Sequence, residues 1–148
     1  MMVHQILRAK QAGTAREAIV TISPDRTLAE AAAVLSEKRI GAVVVSSNGN
    51  RPEGIISERD IVRELGRRGP DCMRDVVRDV MTRSVITCGP EDKADQILAH
   101  MTDGRFRHMP VMDDDGMIGV ISIGDVVKAR LDELNMEKEA LQGMIMGY

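Results

Sequence analysis

The sequence predicts an α+β fold of two pseudo-symmetric halves, because one arrangement of apolar runs and turn residues occurs twice. Residues 119–127 repeat the pattern of residues 54–62, which lie 65 positions earlier. In both stretches a short Gly-apolar-apolar strand leads into Ser-x-x-Asp at the start of a helix. Each copy has about 50 to 60 residues, a size at which the burial of apolar surface is marginal. We therefore expect the two copies to pack sheet to sheet as one fold.

Composition limits the class of protein. The chain has 148 residues, 43 % of them hydrophobic, which is enough for a packed core, and its net charge of −3 argues against binding nucleic acid by bulk charge. One Phe, one Tyr and no Trp leave no stacking platforms for single-stranded nucleic acid. No apolar run approaches the ~20 residues of a membrane span, and the N-terminus lacks a signal-peptide core. The expectation is a cytoplasmic protein that binds neither nucleic acid nor a membrane.

The first copy reads as strand, helix, strand, strand, helix. Its first helix begins with a capping box, in which Thr27 is followed three residues later by Glu30. The helix after Ser57 is expected to carry Ile61, Val62 and Leu65 inward. The predicted elements are a helix over 3–12 ended by Gly13, a strand at 19–22, a helix over 28–38, a strand at 41–45, its hairpin partner at 54–56 and a helix from Ser57 to about Gly66.

The second copy follows at an offset of 66 residues, which drops to 65 in the hairpin loop, where a change of length is tolerated best. Its predicted elements are a linker helix near 75–80, a strand at 85–88, a helix whose apolar face is Ala94, Ile97, Leu98 and Met101, a strand at 109–112, a turn at 113–116 and a strand at 119–121.

The last helix runs past the end of its counterpart. Apolar residues continue at alternating spacings of four and three, with Lys138 at one of the positions: Val127, Leu131, Leu134, Leu141 and Ile145. Such a helix either folds back on its own domain or pairs with a second subunit. Pairing is favoured, because the domain core is complete without this extension.

The two Ser-x-x-Asp sequences, Ser57 to Asp60 and Ser122 to Asp125, have a structural and a functional interpretation. Ser is a good N-cap, and Asp in the first turn suits the helix dipole. A nucleotide site would use the same groups, since a helix N-terminus with a Ser hydroxyl can hold phosphate and an Asp carboxylate can accept two ribose hydroxyls. A cap requires neither Asp specifically nor the strand before it, so the duplication favours the nucleotide site.

Charge distinguishes the two copies. Arg107 and His108 precede the second hairpin, where the first copy has Gly41 and Ala42. A solvated charge cluster would explain the pair, but at the start of a strand they could also neutralise a phosphate chain. The two sites are therefore expected to differ in charge and room, and to prefer different ligands.

Together these residues identify a family. The Ser57–Asp60 sequence, Val80-Met81-Thr82, Arg107-His108-Met109-Pro110-Val111 and the Ser122–Asp125 sequence resemble the tandem cystathionine-β-synthase (CBS) domain pair, or Bateman module, of the stand-alone bacterial type. The resemblance covers about residues 15–130. It implies a helical segment at 1–14, CBS repeats at 15–69 and 80–130, a linker helix at 70–79 and a helical extension at 131–148.

The resemblance also implies adenosine-type ligands in clefts between the repeats, of the AMP, ADP, ATP, NAD(H) or S-adenosylmethionine type. Ser and Asp of each motif would contact phosphate and ribose, Thr21 and Ile22 or Thr87 and Cys88 would offer main-chain groups to the adenine, and Arg107 and His108 would meet the phosphates. The full set of implied nucleotide-binding residues is Thr21, Ile22, Gly41, Ala42, Ser57, Arg59, Asp60, Thr87, Cys88, Arg107, His108, Met109, Pro110, Ser122, Gly124 and Asp125.

Catalysis is not expected. The sequence lacks Gly-x-Ser-x-Gly, Walker and Gly-x-Gly-x-x-Gly patterns, so no catalytic cofactor is implied. Cys72 and Cys88 have no metal-ligand spacing and are expected to be buried or reduced, and the acidic turn at 113–116 reads as a solvated hairpin turn. The expected function is a homodimeric regulatory module that signals adenine-nucleotide binding to a separate partner protein. The alternative is an interaction protein with vestigial clefts.

Overall fold

The computed structural model describes residues 1–11 and 19–145, and its architecture is α+β. Within these residues the helices are α1 (Val3–Gln11), α2 (Leu28–Lys38), α3 (Glu58–Arg68), α4 (Val77–Val80), α5 (Ala94–Gly104) and α6 (Ile123–Ile145), and the strands are β1 (Thr21–Ile22), β2 (Ala42–Val45), β3 (Gly54–Ser57), β4 (His108–Asp113) and β5 (Gly116–Ser122). A 3-10 helix, Pro70–Arg74, precedes α4. The predicted break at Gly13 and the end of the predicted extension, residues 146–148, lie outside the described residues.

The chain forms two compact units. The first unit holds β1 to α4 together with Asp114–Ile118, and the second unit holds α1, Cys88–Asp113 and the chain from Gly119 onward. Each unit therefore combines most of one repeat with the helical segment that precedes the other repeat in sequence.

A three-stranded sheet organises the first unit, with β2 between β1 and β3. Strand β2 runs parallel to β1, with Thr21 opposite Val44, and antiparallel to β3, with Ala42 opposite Ser57. The predicted hairpin is confirmed by this register. The core draws on the sheet, on α2 and α3 and on the segment around α4: Ile22, Leu28, Ala31, Leu35, Val43, Val45, Ile56, Ile61, Cys72 and Val77.

The second repeat contains the two-stranded sheet of β4 and β5, and here one sequence prediction is wrong. The expected strand at 85–88 reduces to a single parallel bridge between Cys88 and Val111. Ile86 is 48 % exposed, so this run does not pack its apolar residues against the sheet before Cys88. The surviving bridge is still the counterpart of the Ile22 and Val45 pair in the first unit, at the repeat offset of 66.

The helical segments α1 and α4 are attached to their units in the same way. Four backbone hydrogen bonds, two in each unit, define this attachment: Val77 N to Arg26 O (2.7 Å) and Arg78 N to Pro24 O (3.0 Å) in the first, Val3 N to Asp92 O (2.9 Å) and His4 N to Pro90 O (2.9 Å) in the second. Corresponding acceptors are 66 positions apart and corresponding donors 74. The start of α1 is thus the structural counterpart of α4.

This attachment explains the glycine that begins each Gly-apolar-apolar strand. A Cβ at Gly54 would lie 2.5 Å from Met81 Sδ and 2.9 Å from the Thr82 carbonyl oxygen. At the equivalent Gly119 a Cβ would lie 2.8 Å from Leu7 Cδ2. Gly54 is therefore required by the close approach of the attached backbone, whereas at Gly119 the contact is with the end of the Leu7 side chain, which has more freedom to shift.

Helix α3 differs from the sequence prediction in which of its apolar residues are buried. Ile61 is buried as predicted, but Val62 is 66 % exposed and Leu65 is 38 % exposed. Val62 borders a groove with Ala32 and Leu35 on the neighbouring helix α2, instead of entering the core. The helix also continues past Gly66 to Arg68, because a glycine in an exposed turn lowers helix stability without ending the helix.

The long C-terminal helix is present and largely uncovered. Helix α6 has 23 residues and buries Val126 and Ala129 near its start. Beyond that point its apolar positions are open to solvent: Leu131, Leu134, Met136, Leu141, Met144 and Ile145 are 49 to 84 % exposed. Within the described chain, this face of α6 is not covered.

We predict that Gly54→Ala destabilises the fold by about 1–3 kcal/mol, because the added methyl group meets the Thr82 backbone as well as the Met81 side chain. The matched control is Gly66→Ala, at which nothing lies within 4 Å. A helix prefers Ala to Gly, so this variant should gain up to about 1 kcal/mol. Urea denaturation measures both changes. A Gly54→Ala protein as stable as the parent would contradict the close packing.

Candidate functional site

The first Ser-x-x-Asp sequence forms a closed hydrogen-bonded pair at the start of α3. The backbone N–H of Ser57 donates to Asp60 Oδ2 at 2.8 Å, the Ser57 hydroxyl donates to the same oxygen at 3.0 Å, and Asp60 N donates to Ser57 Oγ at 3.3 Å. Asp60 is 9 % exposed. Arg63, one turn along, approaches Asp60 Oδ1 at 3.6 Å. The pair is a complete capping box with a carboxylate in the position usually held by Glu or Gln.

The sheet of the first unit brings the other predicted residues towards this pair. Glu58 N donates to the Gly41 carbonyl oxygen at 3.0 Å, so the start of α3 is fixed against the start of β2. Ala42 lies opposite Ser57. Thr21 lies in β1, on the other side of β2, which places it about 10 Å from β3 across the sheet. Thr21, Gly41, Ala42, Ser57 and Asp60 therefore lie on one region of one unit.

The second Ser-x-x-Asp sequence repeats this geometry at the start of α6. Ser122 N donates to Asp125 Oδ2 at 2.9 Å, and Asp125 N donates to Ser122 Oγ at 3.2 Å. Ile123 N donates to the Arg107 carbonyl oxygen at 2.8 Å, which is the counterpart of the bond from Glu58 to Gly41. Arg107 is exposed and His108 half-buried. A basic side chain thus borders the second site where the first has glycine.

An additional cation reaches the second site from α1. The Lys10 ammonium group donates to Asp125 Oδ2 at 2.9 Å and to the Val120 carbonyl oxygen at 3.0 Å. Burial raises the pKa of the Asp125 carboxyl, but the Ser122 N–H and the Lys10 ammonium lower it more, so this pKa lies below the ordinary aspartate value. Asp125 is therefore held as a carboxylate. Sequence reasoning missed Lys10, since it stands 115 residues from Asp125 in the chain.

The main-chain groups expected to meet adenine are partly occupied. The Ile22 carbonyl accepts from Ser46 N at 2.9 Å, while Cys88 N donates to Pro110 O at 3.0 Å and Cys88 O accepts from Met112 N at 2.8 Å. These groups belong to the sheet ladder. Thr21 and the exposed Thr87 stand next to them at the strand edges.

Three of the predicted site residues, Met109, Pro110 and Cys88, are buried. Met109 is fully buried and Pro110 is buried, so they can position neighbouring backbone but do not offer side chains. Burial raises the pKa of the Cys88 thiol to about 12, with the Asp92 carboxylate adding to the shift, so the thiol stays neutral. Arg59 and Gly124 are exposed in the first turns of α3 and α6, beside the Ser and Asp pairs.

The described ranges contain neither a metal-ligand cluster nor a membrane-spanning helix. Across residues 1–11 and 19–145, no three His, Cys, Asp or Glu side chains converge as metal ligands would. In the same residues no helix combines the length and the apolar character that crossing a bilayer requires.

The fold and its paired motifs define a class of protein, one built from an internally duplicated α+β repeat with a Ser-Asp pair at the same helix start in each copy. The model of the CBS domain matches the chain twice, over residues 12–67 and 77–132. The chain belongs to the CBS domain family and carries the domain as a tandem pair.

Solved structures and curated proteins that are similar to this chain also contain CBS domains. A CBS-domain-containing protein from Agrobacterium tumefaciens is 40 % identical with a TM-score of 0.80, covering 88 % of this chain and 99 % of that one. A mitochondrial CBS-domain-containing protein of Arabidopsis thaliana is 39 % identical over 83 % of this chain and 62 % of its own length. A CBS domain protein from Pyrobaculum aerophilum, solved in complex with AMP, is 24 % identical with a TM-score of 0.70, covering 84 % of this chain and 89 % of that one. At that identity the likeness concerns the fold alone.

The chain spans about three fifths of the length of the first two curated relatives it matches, 62 % and 59 %.

We predict that Asp125→Asn lowers the free energy of unfolding at pH 7 by up to about 1 kcal/mol. The substitution removes the negative charge that pairs with Lys10 and that interacts favourably with the helix dipole. The folded pKa lies below the unfolded value of 3.8, so this stabilisation is present above that pH and disappears as the pH falls through the folded value.

Denaturation curves of parent and Asp125→Asn between pH 7 and pH 2 measure the difference. The control is Asp132→Asn, an exposed residue farther along α6, which should show no comparable trend. An Asp125→Asn difference that is constant with pH would contradict the assigned carboxylate.

Proposed function

We propose that this chain is a non-catalytic regulatory module that binds adenine nucleotides, of the AMP, ADP, ATP or NAD type, beside its two Ser-Asp pairs. The observation that carries the proposal is the duplicated geometry, in which a strand, a helix N-terminus, a hydroxyl and a carboxylate recur at matching positions. Binding at one or both pairs would then be signalled to a separate protein.

The chemistry of each pair suits a nucleotide. A helix N-terminus attracts phosphate through its N–H groups and its dipole. Glu58 N and Asp60 N already donate to the Gly41 carbonyl oxygen and to Ser57 Oγ, so a phosphate at α3 would rely chiefly on the dipole. A carboxylate has about four acceptor positions, and Asp60 Oδ2 uses two of them for Ser57. Positions therefore remain for the neighbouring hydroxyls of a ribose.

The two sites would not be equivalent. Exposed Arg107 and half-buried His108 stand at the second site where Gly41 and Ala42 stand at the first. Charge-assisted hydrogen bonds to phosphate are the stronger kind. We therefore expect ligands with longer phosphate chains to favour the second site, and less charged ligands the first. The AMP complex of the Pyrobaculum protein supports the proposal, since it shows that this fold can hold an adenine nucleotide.

A second candidate is an interaction protein in which the Ser-Asp pairs serve as caps. The complete capping box at α3 favours it, because both polar partners are satisfied without a ligand. Nucleotide binding separates the two candidates, since a cap has no need of a nucleotide.

We predict that AMP, ATP or NAD raises the melting temperature of the protein. At about 100 times the dissociation constant the stabilisation would be ~2.7 kcal/mol, or several degrees for a chain of this size. Differential scanning fluorimetry with each nucleotide, and with inosine monophosphate as a base control, measures the shift. No shift with any adenine nucleotide would favour the interaction protein.

The same assay locates the sites. Asp60→Asn and Asp125→Asn each keep an oxygen for the cap and remove the charge, so each should weaken binding at its own site by ~1.5–3 kcal/mol. If a variant with both substitutions binds nucleotide as tightly as the parent, neither carboxylate belongs to a binding site.

We further propose that the module is a homodimer through α6. The exposed apolar positions continue the four-and-three spacing typical of two helices that pair with each other, and Lys138 at one such position would set their register. Residues 132–145 are almost all exposed, and they extend the helix by about 20 Å at 1.5 Å per residue.

Light scattering tests this assembly. Leu134→Gln with Leu141→Gln should lower the mass to that of the monomer, because both substitutions remove apolar contacts from the proposed interface. The control, Asp132→Gln with Glu139→Gln, changes the opposite face and should leave the dimer intact. A parent protein of monomeric mass would contradict the proposal.

A further inference from the structure

The equivalence between α1 and α4 fails at one point, close to the second Ser-Asp pair. Helix α4 ends at Val80, and Thr82 then pairs with Ile55 in a backbone bridge. Helix α1 continues for another turn and carries Lys10 to the same region of its own unit. The attached segments therefore begin alike and end differently.

Lys10 replaces a backbone donor. In the first unit the Ile55 carbonyl oxygen accepts from Thr82 N at 2.9 Å. Its counterpart in the second unit is the Val120 carbonyl, which accepts from the Lys10 ammonium at 3.0 Å. A neutral N–H in one unit thus corresponds to a positive charge in the other.

That charge is held in place beside Asp125. Val3, Ile6 and Leu7 are buried and fix α1, and the ammonium group has two acceptors. The Lys10 side chain is 46 % exposed, so a ligand can still reach it. Both the Lys10 bond and the Ser122 N–H bond end on Asp125 Oδ2 and span 2.9 Å, which places the ammonium nitrogen within about 6 Å of Ser122 N.

We propose that Lys10 is a specificity-determining residue of the second site, selecting phosphorylated adenosine ligands over neutral adenosine. This inference rests on the proposed function. A ribose that donates its hydroxyls to Asp125 competes with Lys10 for the carboxylate. A phosphate near the α6 N-terminus gives the displaced ammonium group a new acceptor, whereas adenosine leaves it without one. Lys10 therefore disfavours adenosine and favours AMP.

Isothermal titration calorimetry with AMP and with adenosine tests the inference. The measurements use an Asp60→Asn background, so that binding reports on the second site. Lys10→Met should reduce the ratio of AMP affinity to adenosine affinity at least about threefold, with adenosine bound equally well or more tightly. Lys10→Arg should retain the ratio of the background protein, because it keeps the charge on the same helix.

The matched control is Arg8→Met, which removes one exposed positive charge from the same helix. An unchanged ratio in Lys10→Met overturns the inference, and so does an equal fall in Arg8→Met, which would indicate a general charge effect. If AMP binds the background protein and the ratio does not respond to Lys10, the proposed function stands and this inference fails. If neither ligand binds even the parent chain, both fail.

Discussion

The hydrogen bonds between Ser and Asp at the starts of α3 and α6 are the interaction on which the rest of the structure depends. In both units they join the end of a strand to the start of a helix, and a backbone bond from the first helical residue ties that start to the neighbouring strand. The proposed nucleotide site would use the same atoms. The fold and the proposed site would therefore share one small set of polar groups, and a substitution of these groups would affect both the stability of the fold and the binding of the ligand.

The second constraint is the way each unit is completed. Four corresponding backbone bonds attach α4 and α1 to units whose repeats they do not immediately precede, and each attachment places a buried Val, Val77 or Val3, in its unit. Both glycines of the Gly-apolar-apolar strands lie against the attached segment, Gly54 against its backbone and Gly119 against the Leu7 side chain. Because α1 runs one turn further than α4, the two otherwise similar units differ in charge at Asp125, which is where Lys10 is bound.

Periodicity and repetition in the sequence predicted the features that depend on local chemistry. The α2 capping box, the first hairpin register and the long α6 follow from neighbouring residues. The missed features depend on distant contacts. Val62 has the spacing of a core residue, but it borders a groove with α2 and remains 66 % exposed. Residues 85–88 have β propensity, but among the described residues the run pairs with another strand only at Cys88. Lys10 could have been found only through the weak resemblance of residues 3–4 to 77–78, and that resemblance stops before residue 10.

A nuclear magnetic resonance titration of the backbone amides with AMP tests most directly whether the Ser-Asp pairs are ligand sites. Amides whose N–H groups lie at the helix starts, Ser57, Glu58, Ser122 and Ile123, would sense a bound phosphate or ribose first. The account predicts saturable shifts centred on one or both of these pairs. Saturable shifts confined to other parts of the chain, or none at millimolar AMP, would contradict it.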